Sequence, residues 1–263
     1  MPVYAADVEA LVLLVSAFGA SGVMWAWQNR SRLREERTRQ KQLATMLDDN
    51  MQVALHLAKH AAASRNQPLA PLHVLYAITE DERVGTAIEK LGGDRAGLDA
   101  ALQNEMDKVQ HEVDPREGTR LLGSALGIAH NDSQRQMTCT DALAMLLRTP
   151  VAAILERPPI SGDALLFELV HGDVPPATLP RETHVHVVLR NDDYTPMQLV
   201  VHVLETCFGL DSKRAAELMR AVHEGGRAVI GRLSVEDARE KITAAREAAR
   251  RSHVPLWIGA EVC

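Results

Sequence analysis

The sequence predicts a multidomain chain in which a transmembrane helix precedes an all-α region and a smaller α+β domain. Three observations indicate this organisation. Residues 10–27 carry no charge, residues 45–170 show helical patterns, and from residue 183 the pattern changes to a β-α-α-β-α-β order. With 263 residues and 46% hydrophobic content, the chain is long enough for two small domains that each have a core.

These patterns set the predicted boundaries. They are a membrane anchor at 8–28, a basic segment at 29–44, a helical repeat region at 45–170, a Pro-rich linker at 171–182 and an α+β domain at 183–263. The net charge of −6 argues against general nucleic-acid binding, because phosphate neutralisation needs clustered Lys and Arg. Cys139, Cys207 and Cys263 are widely spaced and form no CxxC pair, so neither a disulfide framework nor a zinc ribbon is indicated.

The anchor is predicted from the run ALVLLVSAFGASGVMWAW at residues 10–27. As a helix at about 1.5 Å per residue, this run nearly spans a hydrocarbon layer of about 30 Å. The preceding MPVYAADVEA lacks the basic start of a secretory signal, so no cleavage is expected. The basic residues at positions 30–41 follow at once, and the positive-inside rule then places the rest of a single-pass protein in the cytosol. The alternative is a buried hydrophobic helix of a soluble protein.

The pattern predicts an internal repeat in the helical region. LHLAKHAAASRNQPLAPLHVLYAI at 55–78 and LGIAHNDSQRQMTCTDALAMLL at 126–147 each combine an Ala-rich helix, a polar turn and an apolar helix. The region resembles the double-repeat N-terminal domain of Clp AAA+ unfoldases, with Pro150, Pro158 and Pro159 interrupting the second half. The resemblance implies a docking platform. No GxxxxGK[ST] segment is present, so the chain cannot itself be an ATP-driven unfoldase.

A Pro-rich connector separates this region from the last domain. HGDVPPATLPR reaches roughly 30 Å if it is extended at about 3.1 Å per residue, which is long enough for the two domains to touch. The following HVHVVL alternates and is β-branched, which predicts a strand with Val185, Val187 and Leu189 facing a core.

Two acids lie between this strand and the next helix, in LRNDDYTPMQLV. Thr195, Pro196 and Gln198 have the spacing of an N-cap with a capping box, so the helix start does not require Asp192 or Asp193. One simple alternative is that one acid makes an Asx turn and the other favours the helix dipole.

The next predicted helix, which carries LMRAVHEGGRAVIG, places Met219, Val222 and His223 on one face. Met197 and Val200 share a face of the preceding helix in the same way. The two faces can flank the acids as apolar walls, although Met and His residues on such faces are more often ordinary core residues.

Three segments, NDDYTPMQLVVHVL, LMRAVHEGGRAVIG and HVPLWIGAEV, resemble the signature segments of the ClpS adaptor family in order and spacing. The resemblance implies a protein that reads N-degrons: it binds proteins that begin with Phe, Tyr, Trp or Leu and delivers them to a Clp protease. It also implies the substrate-binding residues. The α-amino group is assigned to Asn191, Asp192 and His223, the side-chain pocket to Thr195, Met197, Val200, Met219, Val222 and Leu256, and the rim to Asp193.

The implied ligand set suits a chain terminus. An α-amino group has a pKa of about 7.7 to 8, so at neutral pH it is mostly a cation that offers three donors and needs acceptors. Asp192 supplies a charge, while Asn191 and an unprotonated His223 nitrogen supply neutral acceptors. Charge-assisted bonds of this kind contribute about 1.5 to 3 kcal/mol, and burial of the first side chain adds a similar amount.

A third helix is predicted to start at Ser234, and the ClpS resemblance assigns Glu236 and Lys241 to docking on the N-domain of a Clp unfoldase. An ordinary charged surface is the alternative. Other chemistry has little support, since His184 and His186 have no third metal ligand nearby and no GxSxG motif occurs.

We therefore predict a membrane-anchored adaptor that is not an enzyme and needs neither cofactor nor metal. Its expected partners are a Clp AAA+ unfoldase N-domain, N-degron substrates and the membrane, with no nucleic acid. The alternative function is a scaffold or decoy that sequesters Clp components without delivering substrate, with its two modules bound to each other.

Overall fold

A computed structural model describes residues 45–108, 114, 116–131, 135–157, 159–172 and 183–262. The chain divides into two compact units, Met1–Met46 and Leu47–Cys263. The predicted membrane span at 8–28 and the basic segment at 29–44 lie outside the described residues. Within the part that is described, no helix is both long and apolar enough to cross a membrane.

The first part of the second unit, residues 47–172, is all-α, and we call it the helical module. Its helices are α1 (Asp49–Ser64), α2 (Pro71–Thr79), α3 (Glu82–Lys90), α4 (Arg95–Lys108), α5 (Glu117–Asn131), α6 (Cys139–Leu146) and α7 (Gly162–His171). A 3-10 helix, Pro150–Leu155, lies between α6 and α7. Pro150 begins this short helix, where its missing N–H would have no intrahelical partner in any case.

Both halves of the helical module contain the expected helix followed by a shorter apolar helix, α1 with α2 and α5 with α6. The second helix of each half also begins in the same way, because the side chain at its third position accepts a hydrogen bond from the backbone N–H of the cap residue. His73 Nδ1 accepts from Ala70 at 3.1 Å, and Asp141 Oδ2 accepts from Thr138 at 2.7 Å. Helices α2 and α6 pack against each other, so the two halves share one apolar core.

The C-terminal domain, residues 183–262, has the predicted β-α-α-β-α-β order. Its elements are β1 (His184–Arg190), α8 (Met197–Phe208), α9 (Ser212–Gly225), β2 (Arg227–Ser234), α10 (Val235–Arg251) and β3 (Ile258–Val262). The sheet has the order β2-β1-β3, and β1 is antiparallel to both neighbours. The central strand therefore carries the chain directly from the sheet into the loop that holds the two acids.

The core of this domain lies between the sheet and the helices. Val185, Val187 and Leu189 are buried in it, as their alternation predicts. Helix α10 covers them with a buried stripe that includes Ile242 and Ala245. The sheet is thus an open three-stranded layer with one helix-covered face.

The predicted capping box at Thr195 is wrong. Pro196 is the cap residue of α8 and Met197 its first helical residue, and no side chain caps this helix. The Thr195 hydroxyl instead donates to Asp192 at 2.8 Å. The backbone N–H of Thr195 also donates to Asp192, so both bonds orient Thr195 toward the loop and its oxygen accepts no N–H of α8. The start of α10 is as predicted, since Ser234 accepts from the N–H of Asp237 at 3.1 Å.

Candidate functional site

The site is built around residues 191–195, which we call the acidic loop. Asp192 organises this loop: its Oδ1 accepts from the backbone N–H of Tyr194 at 2.8 Å and of Thr195 at 2.7 Å, and its Oδ2 accepts from the Thr195 hydroxyl. One of the two acids therefore does make an Asx turn, as the simpler alternative predicts. A carboxylate offers about four acceptor positions. Three are used here, so capacity for one further donor remains.

The charge of Asp192 sits in a poorly solvated place. Burial raises the pKa of this carboxyl above its ordinary value, while the three local donors and the nearby His171 act in the opposite direction. A carboxylate that has lost much of its water gains more from a cationic partner than an exposed one does. The loop is therefore arranged to favour a ligand that brings a positive charge.

Asn191 and His223 are brought together by the end of α9. The backbone N–H of Asn191 donates to the Gly226 carbonyl at 2.8 Å. Gly226 follows the helix at φ +77°, a left-handed conformation that glycine adopts without strain. His223 lies in the last turn of α9 and is exposed. The hydrogen bond between Asn191 and Gly226 and the left-handed conformation of Gly226 therefore hold the C-terminal end of α9 beside the acidic loop.

A cleft of about 640 Å³ opens beside the acidic loop. This volume falls within the roughly 300 to 1,000 Å³ of ligand sites. All ten residues predicted to bind substrate line the cleft, and they are Asn191, Asp192, Asp193, Thr195, Met197, Val200, Met219, Val222, His223 and Leu256. The structure thus brings together, on the side of the C-terminal domain, polar acceptors and an apolar surface.

The other side of the cleft belongs to the helical module and was not predicted. It is formed by Ser124, Gly127 and Ile128 of α5, by Met145 of α6 and by Arg148 just beyond α6. We call these five residues the facing wall. They lie more than 40 positions before the acidic loop in the chain, and no local pattern marks them. The length of the Pro-rich linker was the only sequence signal that contact between the domains was possible.

Arg135 connects the acidic loop to the helical module. Its Nε lies 3.2 Å from Asp193 Oδ2, while its two terminal nitrogens donate to both oxygens of Asp141 at 2.7 and 2.8 Å. Asp141 is fully buried, and its hydrogen bonds raise the pKa of the Arg135 guanidinium. Asp193, predicted as a rim residue, therefore also pairs with the other module.

Three further contacts strengthen this junction. Tyr194 packs against the core of the helical module, and burial raises the pKa of its phenol. On a separate patch, His171 Nε2 donates to the Pro255 carbonyl at 2.7 Å and His253 Nδ1 lies 3.0 Å from Asp163 Oδ1. The two modules therefore also meet at His253 and Pro255, just before Leu256.

The predicted docking residues lie on α10 and do not line the cleft. Glu236 is exposed, and the Lys241 ammonium donates to the Cys207 carbonyl of its own domain at 3.1 Å. Across the described ranges, neither side chain forms a hydrogen bond or an ion pair with the helical module.

The C-terminal domain matches a known family. A family model described as "ATP-dependent Clp protease adaptor protein ClpS" matches residues 180–259. The ATP-dependent Clp protease adapter protein ClpS of Ruegeria pomeroyi is 50% identical over 70 residues, which are 27% of this chain and 62% of that protein. The ClpS of Salmonella arizonae is 40% identical over 89 residues, 34% of this chain and 83% of the relative.

A solved structure, that of Agrobacterium tumefaciens ClpS2 bound to L-phenylalaninamide, is 30% identical. It aligns with 31% of this chain and 98% of its own, at a TM-score of 0.30. The family model begins at residue 180, so the resemblance of the helical module to a Clp unfoldase N-domain stays a prediction. Through its C-terminal domain, the chain belongs to the ClpS adaptor family.

Proposed function

We propose that this protein is a non-catalytic adaptor of the ATP-dependent Clp protease that selects proteins by a free α-amino group and a bulky first side chain. The observation that carries the proposal is the cleft, in which a poorly solvated carboxylate, further polar acceptors and an apolar surface converge. The relatives are named as Clp protease adapters, which supports the same function.

The amino terminus is held by Asp192, Asn191 and His223. Asp192 has one acceptor position left after its three loop bonds, and an ammonium group fills it with a charge-assisted bond. Asn191 and His223 accept the remaining two donors. An internal peptide group has only one N–H and no charge, so it cannot satisfy these three acceptors.

The first side chain enters the apolar part of the cleft. Val200, Val222 and Leu256 are almost fully buried and form its floor. Met197 is 36% exposed at the entrance, and its flexible thioether side chain can adapt to Phe, Tyr, Trp or Leu. Burial of such a side chain contributes roughly 1.5 to 3 kcal/mol.

The direct test compares peptides that differ only at their first residue or its modification. Peptides that begin with Phe, Tyr, Trp or Leu should bind in fluorescence anisotropy, and acetylation of their amino terminus should abolish binding, because it removes the cation and changes little apolar area. Equal binding of the acetylated and free peptides overturns the assignment of Asn191, Asp192 and His223.

The helical module is proposed to be a Clp unfoldase N-domain-like repeat module. Support comes from the resemblance of its sequence and from the similar order of helices in its two halves.

Glu236 and Lys241 are proposed to dock on the N-domain of a Clp unfoldase. Because these residues are not engaged by the helical module, an adaptor that delivers substrate is favoured over a closed decoy. Delivery is tested directly: an adaptor accelerates degradation of a model N-degron substrate by Clp protease, and a decoy only slows it.

Tethering to the cytoplasmic membrane by residues 8–28, with the functional domains in the cytosol, is proposed on the uncharged run and its basic flank. The full-length protein should sediment with membranes and resist extraction by high salt, which removes proteins held only by basic residues. Recovery in the soluble fraction after a salt wash contradicts the tether and leaves the adaptor function untouched.

A further inference from the structure

The facing wall carries a cation with unused bonding capacity. Arg148 is exposed and lines the cleft, and among the residues that the structure describes it forms no ion pair. The other arginine of the cleft and the exposed acid Asp193 are engaged. The Arg190 guanidinium stacks on the Trp257 ring at 3.8 Å, and Asp193 is paired with Arg135. Arg148 is therefore the cleft cation that is available to a ligand.

The facing wall is also built of small groups. A Cβ placed on Gly127 would meet nothing within 4 Å, so the space in front of this residue is open. Ser124, one turn earlier on α5, is exposed as well. Glycine is a poor helix former, and the packing of α5 does not require one at this position. The absence of a side chain keeps the cleft wide between the two walls.

We propose that the second and third residues of a substrate lie between the acidic loop and the facing wall, and that Arg148 selects acidic side chains at those positions. The inference rests on the proposed function. Once the amino terminus is held at Asp192 and the first side chain is buried, the rest of the chain must leave through the cleft. The facing wall borders that path, so the helical module contributes to substrate choice.

Charge complementarity supports this assignment. A substrate with a cationic terminus followed by an acid presents its two charges to Asp192 on one wall and to Arg148 on the other. Because Arg148 is exposed, solvent screens its field, and the expected preference is several-fold rather than many orders of magnitude. A basic residue at the second or third position meets a like charge and binds more weakly.

The first test reverses the charge of Arg148. Two peptide series begin with Phe and carry either Glu or Lys at the second and third positions. The wild-type protein should favour the Glu series by roughly three- to tenfold in Kd. Arg148→Glu should abolish or reverse this ratio. The matched control is Lys59→Glu, which makes the same charge change at an exposed position of α1 away from the cleft and should leave the ratio unchanged.

The second test fills the open space. Gly127→Leu should weaken binding of a peptide of five residues by about tenfold or more, and should leave binding of phenylalaninamide, which ends after the first residue, within about twofold of wild type. The control is Gly123→Leu, one turn earlier on α5, where an added Cβ also meets nothing within 4 Å but the residue does not line the cleft.

The outcomes separate the two proposals. Failure of every free-amine Phe peptide and of phenylalaninamide to bind wild-type protein overturns the proposed function and this inference with it. Normal binding, with the same Glu-to-Lys ratio in wild type and Arg148→Glu, overturns the selection by Arg148 alone. Equal loss of the peptide and of phenylalaninamide in Gly127→Leu overturns the placement of the second and third residues.

Discussion

The C-terminal domain has two proposed functional regions, the acidic loop and the start of α10, and they differ in their surroundings. The acidic loop is held against the helical module by Arg135 and Tyr194, whereas the start of α10, which carries Glu236, stays exposed. The fused module therefore covers the side that is proposed to read substrates and leaves open the side that is proposed to meet the unfoldase. We infer that the fusion modifies what the adaptor accepts more than where it docks.

The two ends also differ in how their charges are stabilised. At the acidic loop, Arg135 bridges a fully buried acid, Asp141, and a half-exposed one, Asp193, so its pair with Asp141 is largely desolvated. At the docking end, Lys241 donates to a carbonyl near the surface. Substitutions at the first end should therefore have larger effects than those at the second.

The largest effect is expected from Arg135→Gln. This change leaves the buried Asp141 without its bidentate partner, and breaking a buried pair in this way costs about 3 kcal/mol or more of the free energy of unfolding. Lys108→Gln, which removes an exposed pair on α4, should cost less than about 0.5 kcal/mol. Urea denaturation followed by circular dichroism measures both. Equal losses contradict the bridging role of Arg135.

The next largest effect is expected from Asp192→Asn, and it distinguishes Asp192 from the neighbouring Asp193. Asp192→Asn keeps much of the loop geometry but removes the charge that the substrate ammonium needs. The Kd of a Phe-initiated peptide should rise by roughly 10- to 150-fold, the equivalent of 1.5 to 3 kcal/mol. Asp193→Asn should change it by less than about threefold, since this acid pairs with Arg135. Isothermal titration calorimetry distinguishes the two, and a similar loss in both variants contradicts the proposed division of roles.

Binding of the substrate peptide should weaken both at high pH and at low pH. Affinity requires a protonated substrate amine, so it should fall about tenfold per pH unit above about 8. It also requires an ionised Asp192. Burial raises the pKa of this carboxyl although its hydrogen bonds and His171 lower it, so affinity should fall as the pH drops through a value above the ordinary 3.8. In a His223→Gln background, where the acceptor at this position does not titrate, the acid limb should disappear when Asp192→Asn is added, while the alkaline limb stays. An acid limb that persists in this variant assigns it to another group.

Much of the fold is predictable from local signals. The alternation of residues 184–189 predicts β1 and its buried face, and Asp211 and Ser234 mark the starts of α9 and α10 as cap residues. These signals are local because periodicity and capping act within a few residues of the chain. The ten site residues were assigned through the resemblance of three segments to ClpS signatures; all ten line one cleft, and their role in binding stays a prediction.

The rest depends on contacts between distant segments. The facing wall cannot be predicted from the sequence, because the helix that carries Gly127 and the loop that carries Asp193 meet only in the folded chain. The error at Thr195 has the same origin on a smaller scale. Capping rules identified a suitable hydroxyl, but its bond to Asp192 orients Thr195 toward the acidic loop, and its oxygen accepts no N–H of α8.

The smallest effect is expected at the docking end. Reversal of both charges, Glu236→Lys with Lys241→Glu, should weaken association with the N-domain of a Clp unfoldase by several-fold, as is usual for partly exposed charges at an interface. Peptide binding should not change, because these residues do not line the cleft. Lys213→Glu on α9 provides the control for a surface charge reversal. Surface plasmon resonance with immobilised N-domain measures the association, and unchanged binding contradicts the docking assignment.

Photo-cross-linking tests the central claim, that the substrate chain runs between the two modules. A peptide begins with Phe and carries a photoreactive group on its second residue. The account predicts labelling both of the C-terminal domain around Asp192 and of α5 or Arg148 in the helical module, suppressed by an excess of free-amine peptide but not by its acetylated form. Labelling confined to the C-terminal domain, or labelling that both competitors suppress equally, contradicts the account.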